Sequence, residues 1–274
     1  MANPDPYSVI AIRFAASPFR MRFHNCLNCA QGDPHDTPMP MDFYIWVIRN
    51  AHRTIVVDVG SKQWKCLQRG HEFIRCPVEG LEAVGVDPAK VDDLVITHLH
   101  WDHAGNIDRF PNARVHLQND EMRYVVGPHM ADHGVNHFYL VDDVKTVVGT
   151  LFEGRLSLHH GQTEIAPGVS LHRVGGHAAG MQIVRVYTQR GWVVLASDAS
   201  HFYANIDDNN PFPIFANYPE VFSGWELCRA LADSPDHIVP GHDPLVLRKY
   251  PPLSASLDGD AVRLDVDPVE ERRA

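Results

Sequence analysis

Residues 97–105 read Thr-His-Leu-His-Trp-Asp-His-Ala-Gly, which puts four potential metal ligands, His98, His100, Asp102 and His103, into six residues. A β-rich run at 94–97 precedes them, so His98 and His100, two apart at a strand end, project to the same side and can reach one ion. Asp102 and His103 arrive as the chain turns, and Ala104 and Gly105 are small enough to let that turn pass close by. A zinc-like ion takes three or more nitrogen or oxygen ligands and, where it is catalytic, keeps one position for water. Four ligands so close together exceed the need of one ion. A second metal and a crowded structural histidine cluster are the two explanations. Three later residues favour metal: His177, Asp198 and His242 each follow a strand-like run and stand among small residues, in Gly175-Gly176-His177-Ala178, Ala196-Ser197-Asp198-Ala199 and Pro240-Gly241-His242-Asp243.

The elements that position these ligands are mostly strands. Apolar, β-branched runs recur at 43–49, 54–59, 94–97, 114–117, 169–174, 182–187, 192–196 and 237–239, most of them bounded by Gly, Pro, Asn or Asp. Helical patterns are fewer: 78–84, a stretch beginning at Asn119 or Asp120, and 218–232, where Val221, Leu227, Cys228 and Leu231 share a face. Strands early, then strands mixed with helices, suit an α/β sandwich of two sheets covered by helices. Residues 121–165 show no clean period and read as a helical or loop excursion beside the site. The polar stretch 251–274 reads as either a strand-like tail or a frayed end. A single domain over 1–274 is expected, with the motif-bearing region at about 43–244.

The order His-x-His-x-Asp-His, then His177, Asp198 and His242, resembles the metallo-β-lactamase superfamily, and the intervals are similar to those of its N-acyl homoserine lactonase (quorum-quenching) branch. The resemblance implies the αββα sandwich, two mixed sheets flanked by helices. It also implies two divalent ions, zinc first, with manganese, iron or cobalt as alternatives. His98, His100 and His177 would hold the first ion, Asp102, His103 and His242 the second, and Asp198 would bridge them. Val57-Asp58-Val59-Gly60 resembles the family's strand-end Asp-x-Gly, in which the Asp buttresses the metal loop. The implied chemistry is the opening of a lactone, N-acyl homoserine lactones included, by a hydroxide shared between the ions, with Asp102 or Asp198 passing the proton to the leaving alkoxide. Where that branch carries a substrate-orienting Tyr, three residues beyond the bridging Asp, this chain has His201; His201 or Tyr203 is expected to take that role. Thioester hydrolysis of the glyoxalase II type, hydrolysis of another cyclic ester or amide, and metal binding without turnover remain open alternatives.

Composition narrows the classes further. The net charge of −10 gives no general attraction for nucleic acid, and no segment approaches the length of apolar residues that a membrane span needs. Five cysteines and an N-terminus unlike a secretory signal argue against a disulfide framework and for a cytoplasmic location. Cys26-Leu27-Asn28-Cys29 has a zinc-knuckle or redox spacing, but one such pair alone reads as ordinary structural cysteine. No Gly-x-Ser-x-Gly elbow suggests a serine nucleophile. The expected partner is a small molecule, with the protein a monomer or homodimer. Trp101, Phe202, Tyr203 and the run from Phe212 to Phe215 are either the walls of an apolar pocket or core.

Overall fold

The computed structural model describes residues 4–269. Its two longest strands, β1 (Ser8–Ser17) and β2 (Met41–Arg49), pair antiparallel and are buried on both faces, which is why they read as nearly unbroken apolar runs. Along β2 the period of two divides the side chains. Phe43, Ile45 and Val47 enter a core beneath helices, and Tyr44, Trp46 and Ile48 enter a core between the sheets. Each such fully buried aliphatic side chain contributes about 1.5–3 kcal/mol.

The first sheet continues through β3 (Thr54–Val57), β4 (Glu72–Phe73), β5 (Asp93–Val95), β6 (Arg114–Gln118) and β7 (Leu156–His159). The second is built from β8 (Gln162–Ala166), β9 (Val169–Arg173), β10 (Gln182–Thr188), β11 (Gly191–Ser197) and β12 (Ile238–Pro240), while β13 (Ala261–Arg263) returns to pair with β1. Both sheets are mixed: β3, β5, β6 and β7 run parallel beside an antiparallel half, and β12 lies parallel to β11 at the end of an antiparallel run. Val9, Trp46 and Val57 of the first sheet meet Leu171, Val184 and Leu195 of the second. Helices cover both outer faces. Leu81 and Val147, from the helices Pro77–Ala83 and Val141–Phe152, pack on the first sheet, and Val221, Trp225 and Cys228 of Tyr218–Leu231 pack on the second. This is the αββα arrangement.

Several elements differ from the sequence expectation. The excursion at 121–165 contains the helix Val141–Phe152, all of β7 and most of β8. The tail beyond residue 250 is irregular, with an isolated bridge at Pro252 and a 3-10 turn at Ala255–Leu257, until β13, an edge strand held on β1 by three paired positions; its last residues, 270–274, lie outside the described part. β5 stops at Val95, so His98 and His100 stand beyond the strand rather than at its end.

Candidate metal centre

The loops leaving the strand ends converge on one point. Asp58 follows β3, residues 96–105 follow β5, His177 follows β9, Asp198 follows β11 and His242 follows β12. Two of these exits use left-handed backbone at residues other than glycine, with φ of +58° at Asp58 and +46° at Ser197, a strain kept where the surrounding structure over-determines it. At Gly241 a Cβ would stand 2.7 Å from Asp198 Oδ1, so only glycine lets the loop of His242 pass there. His98, His100, Asp102, His103, His177, Asp198 and His242 are thereby brought together, none more than 7% exposed.

Three of the imidazoles are oriented by acceptors that cannot donate. His103 Nδ1 donates to Asp58 Oδ2 at 2.8 Å, His242 Nδ1 to the Asp42 carbonyl at 2.8 Å, and His177 Nδ1 to the Ile214 carbonyl at 3.0 Å. Their Nε2 lone pairs therefore face inward. They face carboxylate oxygens. Asp198 Oδ1 lies 3.4 Å from His103 Nε2 and 3.0 Å from His242 Nε2. Asp198 Oδ2 lies 3.3 Å from His177 Nε2 and 3.8 Å from His98 Nε2. Asp102 Oδ2 is 3.6 Å from His103 Nε2 and 3.8 Å from His242 Nε2.

Buried acceptors that face one another repel unless positive charge lies between them. His98 Nε2, His103 Nε2, His242 Nε2 and Asp198 Oδ1 are all buried without a hydrogen-bond partner. Ligand atoms of His98, His100 and His177 lie within 4.8 Å of one another, as do those of Asp102, His103 and His242. In a metal-free centre a proton would have to supply that charge. Burial opposes a proton on His103, but the carboxylates of Asp198, Asp102 and Asp58 prevail and hold its pKa well above the usual histidine range. Burial pushes His98 and His100 well below that range, and their neighbouring imidazoles push the same way. Neutral imidazoles and an ionised carboxylate are the forms that ligate divalent metal, so a cation would take the place of the proton on His103, and the donor set fits the ions that the resemblance implies.

The comparisons with known proteins agree with this geometry. Residues 44–242 match the description "Metallo-beta-lactamase superfamily". The chain belongs to the metallo-β-lactamase superfamily. It is a metal-dependent hydrolase. Among relatives, it is 27% identical to the N-acyl homoserine lactonase AttM of Azorhizobium caulinodans, over 82% of this chain and 89% of that one. It is 31% identical to the N-acyl homoserine lactonase AiiA of Bacillus thuringiensis subsp. kurstaki over 60% of each. A crystal structure of a quorum-quenching N-acyl homoserine lactone lactonase superposes with a TM-score of 0.72 at 20% identity, covering 88% of this chain and 94% of the other. The dizinc quorum-quenching lactonase AidC, in complex with a product, superposes with a TM-score of 0.67 at 12% identity, over 88% and 89%.

In this superfamily member a cavity of about 100 Å³ opens over the cluster, with His100, Asp102, His177 and Asp198 at its wall. His201 also lines it, its Nε2 3.0 Å from Asp198 Oδ2 and its ring 3.8 Å from that of Phe212. Burial lowers the His201 pKa to about 3. Tyr203 is not brought there. Its ring packs at the edge of the core between the sheets, with Lys249 Nζ 4.3 Å from the ring centroid, and its backbone N–H rather than its phenol bonds Asp243. The turn at Phe202 starts a helix, Tyr203–Asp207, that carries residue 203 away from residue 201. Trp101, Phe212 and Ile214 line the cavity, Phe215 lines a neighbouring one, and Phe202 is core.

Sequence reading missed Glu121, which is fully buried and accepts from Leu99 N–H at 3.0 Å and Gly180 N–H at 2.9 Å. It ties the loop of His98 and His100 to the loop of His177. A Glu in the first turn of a helix is too ordinary to have signalled this.

Proposed function

We propose that the protein opens lactones at a centre of two divalent metal ions. In this reading His98, His100 and His177 hold one ion, Asp102, His103 and His242 hold the other, and Asp198 serves both. The observation that carries it is the division at Asp198, where one carboxylate oxygen faces His103 and His242 and the other faces His98 and His177. Such ions, when bound, lower the pKa of water toward neutrality and polarise a carbonyl.

The chain's own residues supply the rest. Asp58, Asp42 and Ile214 fix the imidazoles before any substrate enters, so no reorganisation is needed during the reaction. Asp102 or Asp198, the carboxylates at the cavity wall, passes the proton that the departing alkoxide must receive. His201, at the same wall, is the side chain available to orient the substrate carbonyl. A second cavity of about 310 Å³ shares His100, Phe138, His177 and Ile214 with the first and is lined beyond them by Val135, Pro213 and Phe215. It suits an apolar arm on the ring. N-acyl homoserine lactones are accordingly the first substrates to test, and the names of the relatives support that choice.

The test is turnover of a panel of lactones, thioesters and β-lactams by protein loaded with zinc, cobalt or manganese. Lactones turned over at least tenfold better than the other two classes support the reading; thioester turnover of equal or greater efficiency overturns it.

A further inference from the structure

The cavity over the metal cluster has two arginines at its wall. Arg20 and Arg69 both line it, each half-buried, and each lies over an aromatic ring: Arg20 is 5.4 Å from the centroid of Phe212 and Arg69 is 4.9 Å from that of Trp101. Arg20 Nε donates to Asn25 Oδ1 at 2.7 Å and its Nη2 to the His24 carbonyl at 2.9 Å; Arg69 Nη2 donates to the His137 carbonyl. Two bonds hold the guanidinium of Arg20 and one holds that of Arg69, and N–H donors are left on each. Arg69 Nε is buried with no partner. Among the described residues neither arginine has a carboxylate within 4.0 Å, in a chain that carries 34 acidic residues.

Both guanidiniums converge on His71, whose ring stacks on Trp101 at an interplanar angle of 2° and also lines the cavity. Burial first, then Arg20 and Arg69, lower its pKa to about 4 against the pull of Asp102, so His71 adds no charge of its own at neutral pH. The carboxylates that line the same cavity are Asp102 and Asp198, both turned toward the histidine cluster. Two fixed cations with spare donors, next to a centre that cuts bonds, lack an anion. A guanidinium with free N–H groups can take a carboxylate through two parallel bonds.

We propose that Arg20 and Arg69 bind a carboxylate carried by the substrate, so that the preferred lactones are acids. The proposal rests on the lactone reading for the identity of the bond cut, but not for the anion site itself, and it ranks acid lactones above the uncharged N-acyl homoserine lactones. It also divides the substrate: the apolar arm lies in the larger cavity beside Phe138 and Ile214, and the acid lies at Arg20 and Arg69.

The test pairs γ-butyrolactone γ-carboxylate with the corresponding γ-carboxamide on the metal-loaded protein. The acid is expected to show a KM at least tenfold lower than the amide, the scale of hydrogen bonds to a charged group. In Arg20→Gln and Arg69→Gln the ratio of the two KM values should fall toward one, and Arg20→Lys and Arg69→Lys should keep part of it. Titration calorimetry with cyclopentanecarboxylate and cyclopentanecarboxamide, which carry no lactone to open, reads the same preference without lactone turnover. Acid and amide that bind equally to the parent protein overturn the proposal, and this arm needs no variant to fold. A preference that persists unchanged in both Gln variants also overturns it, because the anion would then be sitting on the metal. If neither lactone is opened while calorimetry shows an arginine-dependent preference, the anion site stands, and the panel of lactones, thioesters and β-lactams decides which bond is cut.

Discussion

Replacing Asp58 by Asn tests how the centre is oriented. The carboxylate is fully buried and accepts from Thr97 N–H, Thr97 Oγ1 and His103 Nδ1, each at 2.8 Å, and from Ser197 Oγ at 3.4 Å. Asn tolerates the φ of +58° at this position, so the backbone is not what the change disturbs. An amide has one acceptor oxygen. If that oxygen keeps Thr97 N–H, the NH₂ group faces His103 Nδ1, which must then give up its proton and carry one on Nε2, pointing at the centre. The opposite orientation sets NH₂ against Thr97 N–H. Either way a charge-assisted bond is lost, a cost of roughly 1.5–3 kcal/mol. Expressed through the ion that His103 would hold, this amounts to about 10–100-fold in affinity. Zinc titration against a chromophoric chelator should show one ion bound as tightly as in the parent and the other weakened by that factor. Two ions each within threefold of the parent affinity would refute the reasoning, since His103 would then ligate whatever its Nδ1 partner.

Glu121→Gln puts a donor against Leu99 N–H or Gly180 N–H inside the protein and should lower unfolding stability by roughly 1–3 kcal/mol in denaturant titration; an unchanged midpoint would contradict the tie between the loops. Burial, helped by Asp108 and Asp142 and opposed by Lys62, raises the Asp143 pKa to about 7 from its ordinary 3.8. A raised folded pKa means stability present at low pH that is lost as pH climbs toward 7. Asp143→Asn should therefore gain on the parent by roughly 2 kcal/mol between pH 5 and pH 8, and a difference independent of pH would sink the idea. Tyr203→Phe should leave the turnover number within about threefold, or 0.7 kcal/mol; a loss beyond tenfold would return Tyr203 to the chemistry.

The ligand positions were legible in the sequence because metal chemistry constrains residue type and spacing together: the run from His98 to His103 and the small residues around His177, Asp198 and His242 have few other uses. The strand pattern was legible where Gly and Pro punctuate apolar runs, as at β10 and β11. β1 escaped because Ala11, Ala15 and Ala16 dilute its β-branched run and Arg13 interrupts it, and β8, in Gln162–Ala166, because it is a half-exposed strand of mixed composition. The parting of His201 and Tyr203 depends on a helix that begins between them, which no spacing rule conveys. Glu121, Arg20 and Arg69 owe their places to tertiary packing. Arg20 reaches the cavity from the segment after β1, and Arg69 from the end of the helix Gln63–Gln68.

The central claim is that Asp198 divides seven ligands between two ions. A crystal structure of the zinc-loaded protein, with anomalous differences collected at the zinc edge, tests it most directly. Two peaks are expected, one among His98, His100, His177 and Asp198 and the other among Asp102, His103, His242 and Asp198, about 3.5–4 Å apart. A single peak at saturating zinc, or a second peak away from Asp198, would contradict it.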